Sequence, residues 1–390
     1  MNSLQILYAK SSEELLDRRS ALGSYIFSLA SVLGKSGLRV RLNEYEIGGM
    51  QPQAKPAATV PGKRRLPIPR FFKLWIKDIL AFRYQQQLLE KLKAQPAPSA
   101  ILEFYSYGSR LGAELAQHWG CPLYVLYDGP IVEEYAFFQH RKPIPFRRVQ
   151  SAQILTLKQA DKIIVYSKPM REYVVNLAGL PDDSHIQIHQ NVDFSRLEFD
   201  RRKEAMPPIN IGFVGSFLPW HRVDLLLEAF SRLKGEGLPV RLLLVGYGME
   251  WEKMKALVDQ SPYKADIEMP GFLDGEKLFA IKQRIHVGVM PSSNWYGAPN
   301  KLFEYGAMNI ACVAPSTPTI ADIFTPSEVG MFDNHDGEGL YQALRELCMD
   351  PGSVIKQADK MYNRIKTDFG PEKSLAFYQT LMEMQDKVPD

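Results

Sequence analysis

Cysteine is scarce in this chain: three in 390 residues, Cys121, Cys312 and Cys348. The number is odd and no metal-ligand spacing joins them, so reduced thiols in a cytoplasmic protein are expected rather than a metal centre. A large excess of charge of either sign is missing too. A formal net charge of +3 argues against a dedicated nucleic-acid binder. No run of about 18 apolar residues occurs, so no membrane span is expected. The apolar start at residues 4–9 soon meets Glu13, Glu14, Arg18 and Arg19, unlike a secretory leader. Internal repeats, an Asp-x-Asp metal motif and a Ser, Cys or His nucleophile constellation are all lacking. What is present is the composition of an ordinary globular protein, 45% hydrophobic and 23% charged, with length enough for two domains.

Short β-branched runs alternate with longer helical patterns along the whole chain. Strands are expected at 4–8, 38–42, 100–104, 123–126, 163–166 and 186–189 in the first half. The second half offers 209–214, 241–245, 267–269, 287–290, 311–314 and 329–332. Strand-then-helix alternation with nearly continuous apolar strands predicts parallel sheets covered on both faces. The stretch 195–208, with Arg201, Arg202, Lys203, Pro207 and Pro208, interrupts the alternation as a linker does. The fold class read from this is α/β, with two Rossmann-like doubly wound domains facing a cleft. One covers 1–195 and the other 209–370. The segment 371–390, helical over 372–387, is expected to pack back across the linker.

The most informative stretch runs from Val287 to Met308. It reads as a buried strand, a polar loop containing Gly297, and a helix opening on Pro299. Lys301 and Glu304 stand three residues apart on the first turn of that helix, hence on one face. Unpaired N–H groups and the positive dipole end of a helix suit a diphosphate. A lysine adds a mobile charge, and a carboxylate accepts from the two hydroxyls of a ribose. Three glycine turns follow other strands of the same sheet: Gly215, Gly246 with Gly248, and Gly271 before Phe272. His221 and Arg222, just ahead of a helix, are placed to reach a phosphate.

These motifs in this order resemble the donor-binding domain of GT-B glycosyltransferases, most closely glycosyltransferase family 4. The counterparts are Gly215-Ser216, His221-Arg222, Leu244-Val245-Gly246-Tyr247-Gly248, Gly271-Phe272, Pro291-Ser292 and Glu304. In the first half they are the run from Ala160 and Asp161 to Ser167, and Gln190-Asn191-Val192-Asp193. The resemblance implies Glu304 on the ribose and Lys301 on the diphosphate, in a Pro-x-Lys-x-x-Glu variant of the family's E-x7-E motif. It further implies Gly297, Ala298 and Asn300 around the phosphates and sugar, with Phe272 and Gly271 around the base. The first Glu of that motif is replaced by Tyr296, which leaves sugar recognition to Asn294, Tyr296 or backbone amides. The family's basic pair falls on Ser216 and His221, with Arg222 as a substitute cation. On the acceptor side the resemblance points to Gly23, Glu103, Tyr105, Asp128 and Tyr127, the last standing where the family has histidine. Asp128 is the carboxylate expected to orient the acceptor hydroxyl or take its proton.

The resemblance thus implies a retaining, metal-independent hexosyltransferase without a cofactor. Its donor would be a nucleotide-sugar, a UDP-sugar and foremost UDP-glucose by family frequency. Its acceptor would be a saccharide or lipid-linked glycan. A catalytically silent GT-B scaffold and a nucleotide-sugar epimerase are the alternatives. The segment 51–77 carries five prolines, seven basic residues and no acidic one, with Phe71, Phe72, Trp75 and Ile76 near its end. It reads either as an interfacial segment, which would make the protein peripheral at the inner face of a membrane, or as a solvated loop leading into a helix.

Overall fold

The apolar runs become strands buried on both faces: all five residues of Ala100–Phe104 and all four of Leu123–Leu126 are buried. The computed structural model describes residues 3–9, 21–35, 37–46, 70–139, 146–190 and 207–383. Nearly all of the expected linker, the motif at 191–193 and most of the basic aromatic segment lie outside the described residues. Two units emerge, one of Met1–Phe194 with Pro371–Asp390, the other of Ser195–Gly370.

In the first unit the strands are β1 (Ser3–Tyr8), β2 (Arg39–Leu42), β3 (Tyr45–Glu46), β4 (Ala100–Phe104), β5 (Leu123–Leu126), β6 (Lys162–Val165) and β7 (Ile186–Ile188). Their order across the sheet is β3-β2-β1-β4-β5-β6-β7. Pairing is parallel throughout, with Leu4 opposite Ala100 and Phe104 opposite Leu126, except for the antiparallel β2–β3 hairpin. The short β3 had no counterpart in the sequence reading, because two residues carry no periodicity.

The second unit contains β8 (Ile209–Val214), β9 (Val240–Val245), β10 (Ile267–Gly271), β11 (Val287–Val289), β12 (Ala311–Pro315) and β13 (Gly330–Phe332), in the order β10-β9-β8-β11-β12-β13. All pairs are parallel. Both sheets therefore reverse their winding between the first strand and the fourth in sequence, at β1/β4 and at β8/β11. Ligands in doubly wound sheets bind at the carboxyl ends of the strands at such a point.

The Pro371–Glu383 helix closes the first unit's core. Tyr378, Leu381 and Met382 are buried among Leu4, Ile6, Tyr25, Ile26 and Leu29. The Tyr124 hydroxyl donates to the Leu381 carbonyl at 3.0 Å. His189 stacks on Phe377 at 4.1 Å and lies 2.8 Å from the Ser374 hydroxyl, and burial pulls its pKa down to about 4. No helix among the described residues is long and apolar enough to cross a membrane. The Arg70–Lys93 helix starts within the basic aromatic segment.

Candidate functional site

At the β8/β11 reversal, the loop after β11 enters the Asn300–Ala307 helix, whose buried face consists of Leu302, Phe303, Tyr305, Gly306 and Ala307. Tyr305 fixes where that helix sits. Its ring lies against Gly288 of β11, where a Cβ would come within 2.4 Å of it. Its hydroxyl oxygen accepts the Val214 N–H at 3.0 Å, at the end of β8. The helix is thereby keyed to both strands, and Lys301 arrives over Gly215. A Cβ on Gly215 would stand 2.4 Å from Lys301 Cε, so the glycine makes room for the lysine stem.

The Lys301 ammonium lies 3.2 Å from His221 Nε2 and 5.6 Å from the centre of the Phe213 ring. His221 Nδ1 lies 2.6 Å from the Ser216 carbonyl oxygen. A carbonyl only accepts, so Nδ1 carries the proton and Nε2 turns its lone pair to the ammonium. Burial, then the Lys301 charge, lowers the His221 pKa to about 3, which keeps the imidazole neutral. Burial likewise brings Lys301 down to about 8, against the pull of Glu304. The result is a desolvated cation, backed by a neutral histidine, beside a helix N-terminus.

Glu304 sits one turn further along the helix, and its Oε2 is 2.6 Å from the Lys282 ammonium. Lys282 is the last residue of the Gly275–Lys282 helix and is only 6% exposed. Sequence reading missed it. Nothing in a separation of 22 residues marks the pair, and it is the attachment of residues 284–286, just past that helix, to β8 that brings them together.

The loop between Met290 and Pro299 is pinned by a second pair that the sequence did not flag. The Ser292 hydroxyl donates to Asn334 Oδ1 at 2.9 Å and lies 2.9 Å from His335 Nδ1. Asn334 Nδ2 donates to the Ser293 carbonyl at 2.7 Å. Asn294 Oδ1 is buried without a hydrogen-bond partner among the described residues and hangs over Gly297, where a Cβ would approach it to 2.5 Å. The Thr319 hydroxyl holds the Trp295 carbonyl at 2.8 Å, beside a half-buried Tyr296. Ala298 is half-buried and Asn300 exposed at the helix start.

The glycine turns also have a reason internal to the fold. A Cβ on Gly246 would stand 1.9 Å from the Gly215 carbonyl, and on Gly248 2.6 Å from Phe217 backbone atoms. Their close approach is to neighbouring backbone. The Gly215 N–H donates to Val245, and the Gly246 N–H to Gly271, each at 2.9 Å. The turns after β8, β9 and β10 are therefore laced together. At their rim Phe272 is 61% exposed and Tyr247 57%. Arg222, at a left-handed φ of 44°, is bound by Asp224 at 3.0 Å rather than turned toward Lys301.

In the first unit Asp128 is exposed just beyond β5, and its carbonyl accepts from the Tyr166 hydroxyl. The other residues expected on an acceptor surface are not on a surface. Tyr127 and Glu103 are fully buried and Tyr105 is 3% exposed. Tyr127 accepts from Gln153 and packs 5.7 Å from the Tyr105 ring. Glu103 accepts the Ser109 hydroxyl at 2.5 Å and the Gly112 N–H at 3.2 Å, which anchors the start of the Leu111–Trp119 helix. Burial raises its pKa to about 7. Gly23 falls in the first turn of the Ala21–Lys35 helix, not in a loop.

Comparison with known proteins bears on the fold that carries this geometry. Residues 208–350 match the family described as glycosyl transferases group 1. WcaL of Escherichia coli K12, whose name assigns it to colanic acid biosynthesis as a glycosyltransferase, is 22% identical over 201 residues, half of each chain. The match thus spans about half the length of that relative. The sucrose-phosphate synthase of Thermosynechococcus elongatus superposes over 99% of both chains with a TM-score of 0.69 at 18% identity. The Anabaena protein HepE, solved with UDP, covers 100% of both chains with a TM-score of 0.67 at 12% identity. At these identities the likeness establishes the fold, which is GT-B.

Proposed function

We propose that this chain is a glycosyltransferase that moves a hexose from a nucleotide-sugar to a saccharide or lipid-linked acceptor in glycan biosynthesis. The observation that carries this reading is the Lys301/Glu304 pair, one turn apart on the helix at the β8/β11 reversal. Lys301 and the helix N-terminus suit the diphosphate, Glu304 the ribose, and Phe272 with Tyr247 the base. Asn294, with its unpartnered buried oxygen, suits a sugar hydroxyl. The donor we favour is a UDP-sugar, UDP-glucose foremost.

In the reaction the bond from the anomeric carbon to the diphosphate oxygen breaks and a bond to the acceptor oxygen forms. The acceptor proton leaves to the departing diphosphate, on the face the new bond takes, which retains configuration. Negative charge grows on the phosphates as the sugar becomes oxocarbenium-like. A fixed cation in a dry site stabilises that charge more than it stabilises the bound donor. Lys301 is that cation. Asp128, exposed at the end of β5, is the group we assign to orienting the acceptor hydroxyl.

Thermal stabilisation of the purified protein by UDP, GDP, ADP and dTDP and their glucose forms tests the reading. A ligand at a hundredfold excess over its dissociation constant adds about 2.7 kcal/mol. A shift with one nucleotide that disappears in Lys301→Ala supports the assignment. No shift with any of them sinks it.

A further inference from the structure

We propose that Lys282 is a positioning residue for the ribose, holding the Glu304 carboxylate in the orientation in which it receives the ribose hydroxyls. The inference rests on the donor-site reading above and concerns a side chain that none of the motifs contains.

The geometry is specific. Lys282 Nζ stands 2.6 Å from Glu304 Oε2, with side chains 7% and 15% exposed. The lysine backbone is clamped on both sides. Ile281 is buried, and Ile285 is pressed onto Gly212 of β8, where a Cβ would meet it at 2.5 Å. Asn210 of β8 accepts the His286 N–H at 2.8 Å and donates through Nδ2 to the Arg284 carbonyl at 2.7 Å. Arg284 in turn pairs with Glu268 of β10. The ammonium therefore reaches Glu304 from a platform fixed to the same strand that ends at Gly215.

A carboxylate offers about four acceptor sites, so one ammonium and the ribose hydroxyls are compatible partners. A rigid counter-charge sets the plane of the carboxylate before any ligand arrives, and pre-set geometry is what turns a hydrogen bond into discrimination. Loss of Lys282 leaves Glu304 in place but removes the counter-charge that sets the plane of its carboxylate. The cost then falls on recognition of the ribose hydroxyls and spares the diphosphate contacts at Lys301.

The test compares UDP with 2′,3′-dideoxy-UDP by calorimetry. Wild-type protein is expected to prefer UDP by about tenfold or more, the worth of one charge-assisted hydrogen bond. Lys282→Met should cut that preference below about threefold while its affinity for the dideoxy nucleotide stays within about twofold of wild type. A buried carboxylate without its partner can unfold the chain, so the same pair of ligands is measured in Glu304→Gln with and without Lys282→Met. There the second substitution should change nothing, because the lysine acts only through the carboxylate. Undiminished preference in Lys282→Met, equal losses for both nucleotides, or a further loss in the Glu304→Gln background overturns the role of Lys282 and leaves the donor site standing. Wild-type protein that binds neither UDP nor the GDP and ADP counterparts overturns the donor site, and this role with it.

Discussion

The two units wind their sheets in the same order and treat the reversal point in opposite ways. In the first unit the described residues at that point are tied up by the protein's own polar groups. Asn43, buried and at a φ of 47°, donates to the Tyr8 carbonyl and accepts the Tyr8 N–H, while Ser106 accepts the N–H of Ala9. Glu103 beyond it caps a helix from the inside. In the second unit the corresponding place holds a glycine, a lysine stem and a loop with an unpartnered amide oxygen. A shared reversal of winding thus provides the opportunity for a site, and the side chains at the strand ends decide whether it is taken.

The largest effect we expect breaks the second unit's floor. Gly246→Ala drives a methyl into the Gly215 carbonyl. It should cost on the order of 4 kcal/mol, or about 8–16 °C of melting temperature in a unit of this size. Melting within a degree or two of wild type would show that the turns are not locked together.

Next comes the first unit. The Glu103 carboxyl is raised from its ordinary 4.5 to about 7. The native state therefore holds this proton more tightly than the unfolded chain does. Its contribution is complete below pH 4.5 and lost as pH rises to about 7, a loss on the order of 3 kcal/mol. Urea unfolding of Glu103→Gln should be flatter between pH 5 and 8 than that of wild type and more stable at pH 8. Its nucleotide-induced stabilisation should be unaltered. A lost nucleotide response instead would give this carboxylate a place in the ligand machinery and erase the contrast between the units.

Lys301 sharpens the contrast from the other side. With its pKa at about 8 in the free protein, UDP affinity should be level from pH 6 to 7.5. Above pH 8 it should fall by up to about tenfold per unit as the ammonium loses its proton. Lys301→Arg should remove the fall, since a guanidinium stays charged. Calorimetric titrations at six pH values settle the point, and a level wild-type profile to pH 10 counts against a cationic role. The smallest effect belongs to Phe272→Ala. So exposed a ring supports little of the fold, and stability should move by less than about 0.5 kcal/mol. Base stacking is worth about 1–3 kcal/mol, so nucleotide affinity should fall by at least about fivefold.

Sequence alone located twelve of the thirteen strands among the described residues and the helix bearing Lys301 and Glu304, because those depend on local periodicity and on punctuation by glycine and proline. It misjudged Glu103, Tyr105 and Tyr127 for a physical reason. A parallel strand buried on both faces is apolar at every position, so no alternation tells which strand-end residue looks inward. It passed over Lys282, Tyr305, Asn334 and His335 because their importance arises from contacts 22 to 91 residues away. Gly246 was legible as a glycine needed after a strand. The atom that requires it, a carbonyl on the neighbouring turn, was not.

The return of the Pro371–Glu383 helix to the first unit has a consequence for how the chain is made. Ribosomes release a protein from its N-terminus, so the second unit is fully synthesised while the first still lacks Tyr378, Leu381 and Met382. Until then the surface around Tyr25, Ile26 and Leu29 has no permanent cover. Domains fold as units, and an exposed apolar face in waiting invites wrong partners. The first unit is thus sealed only after the second has been made, and a chain cut after Gly370 should yield a sound second unit and a sticky first one.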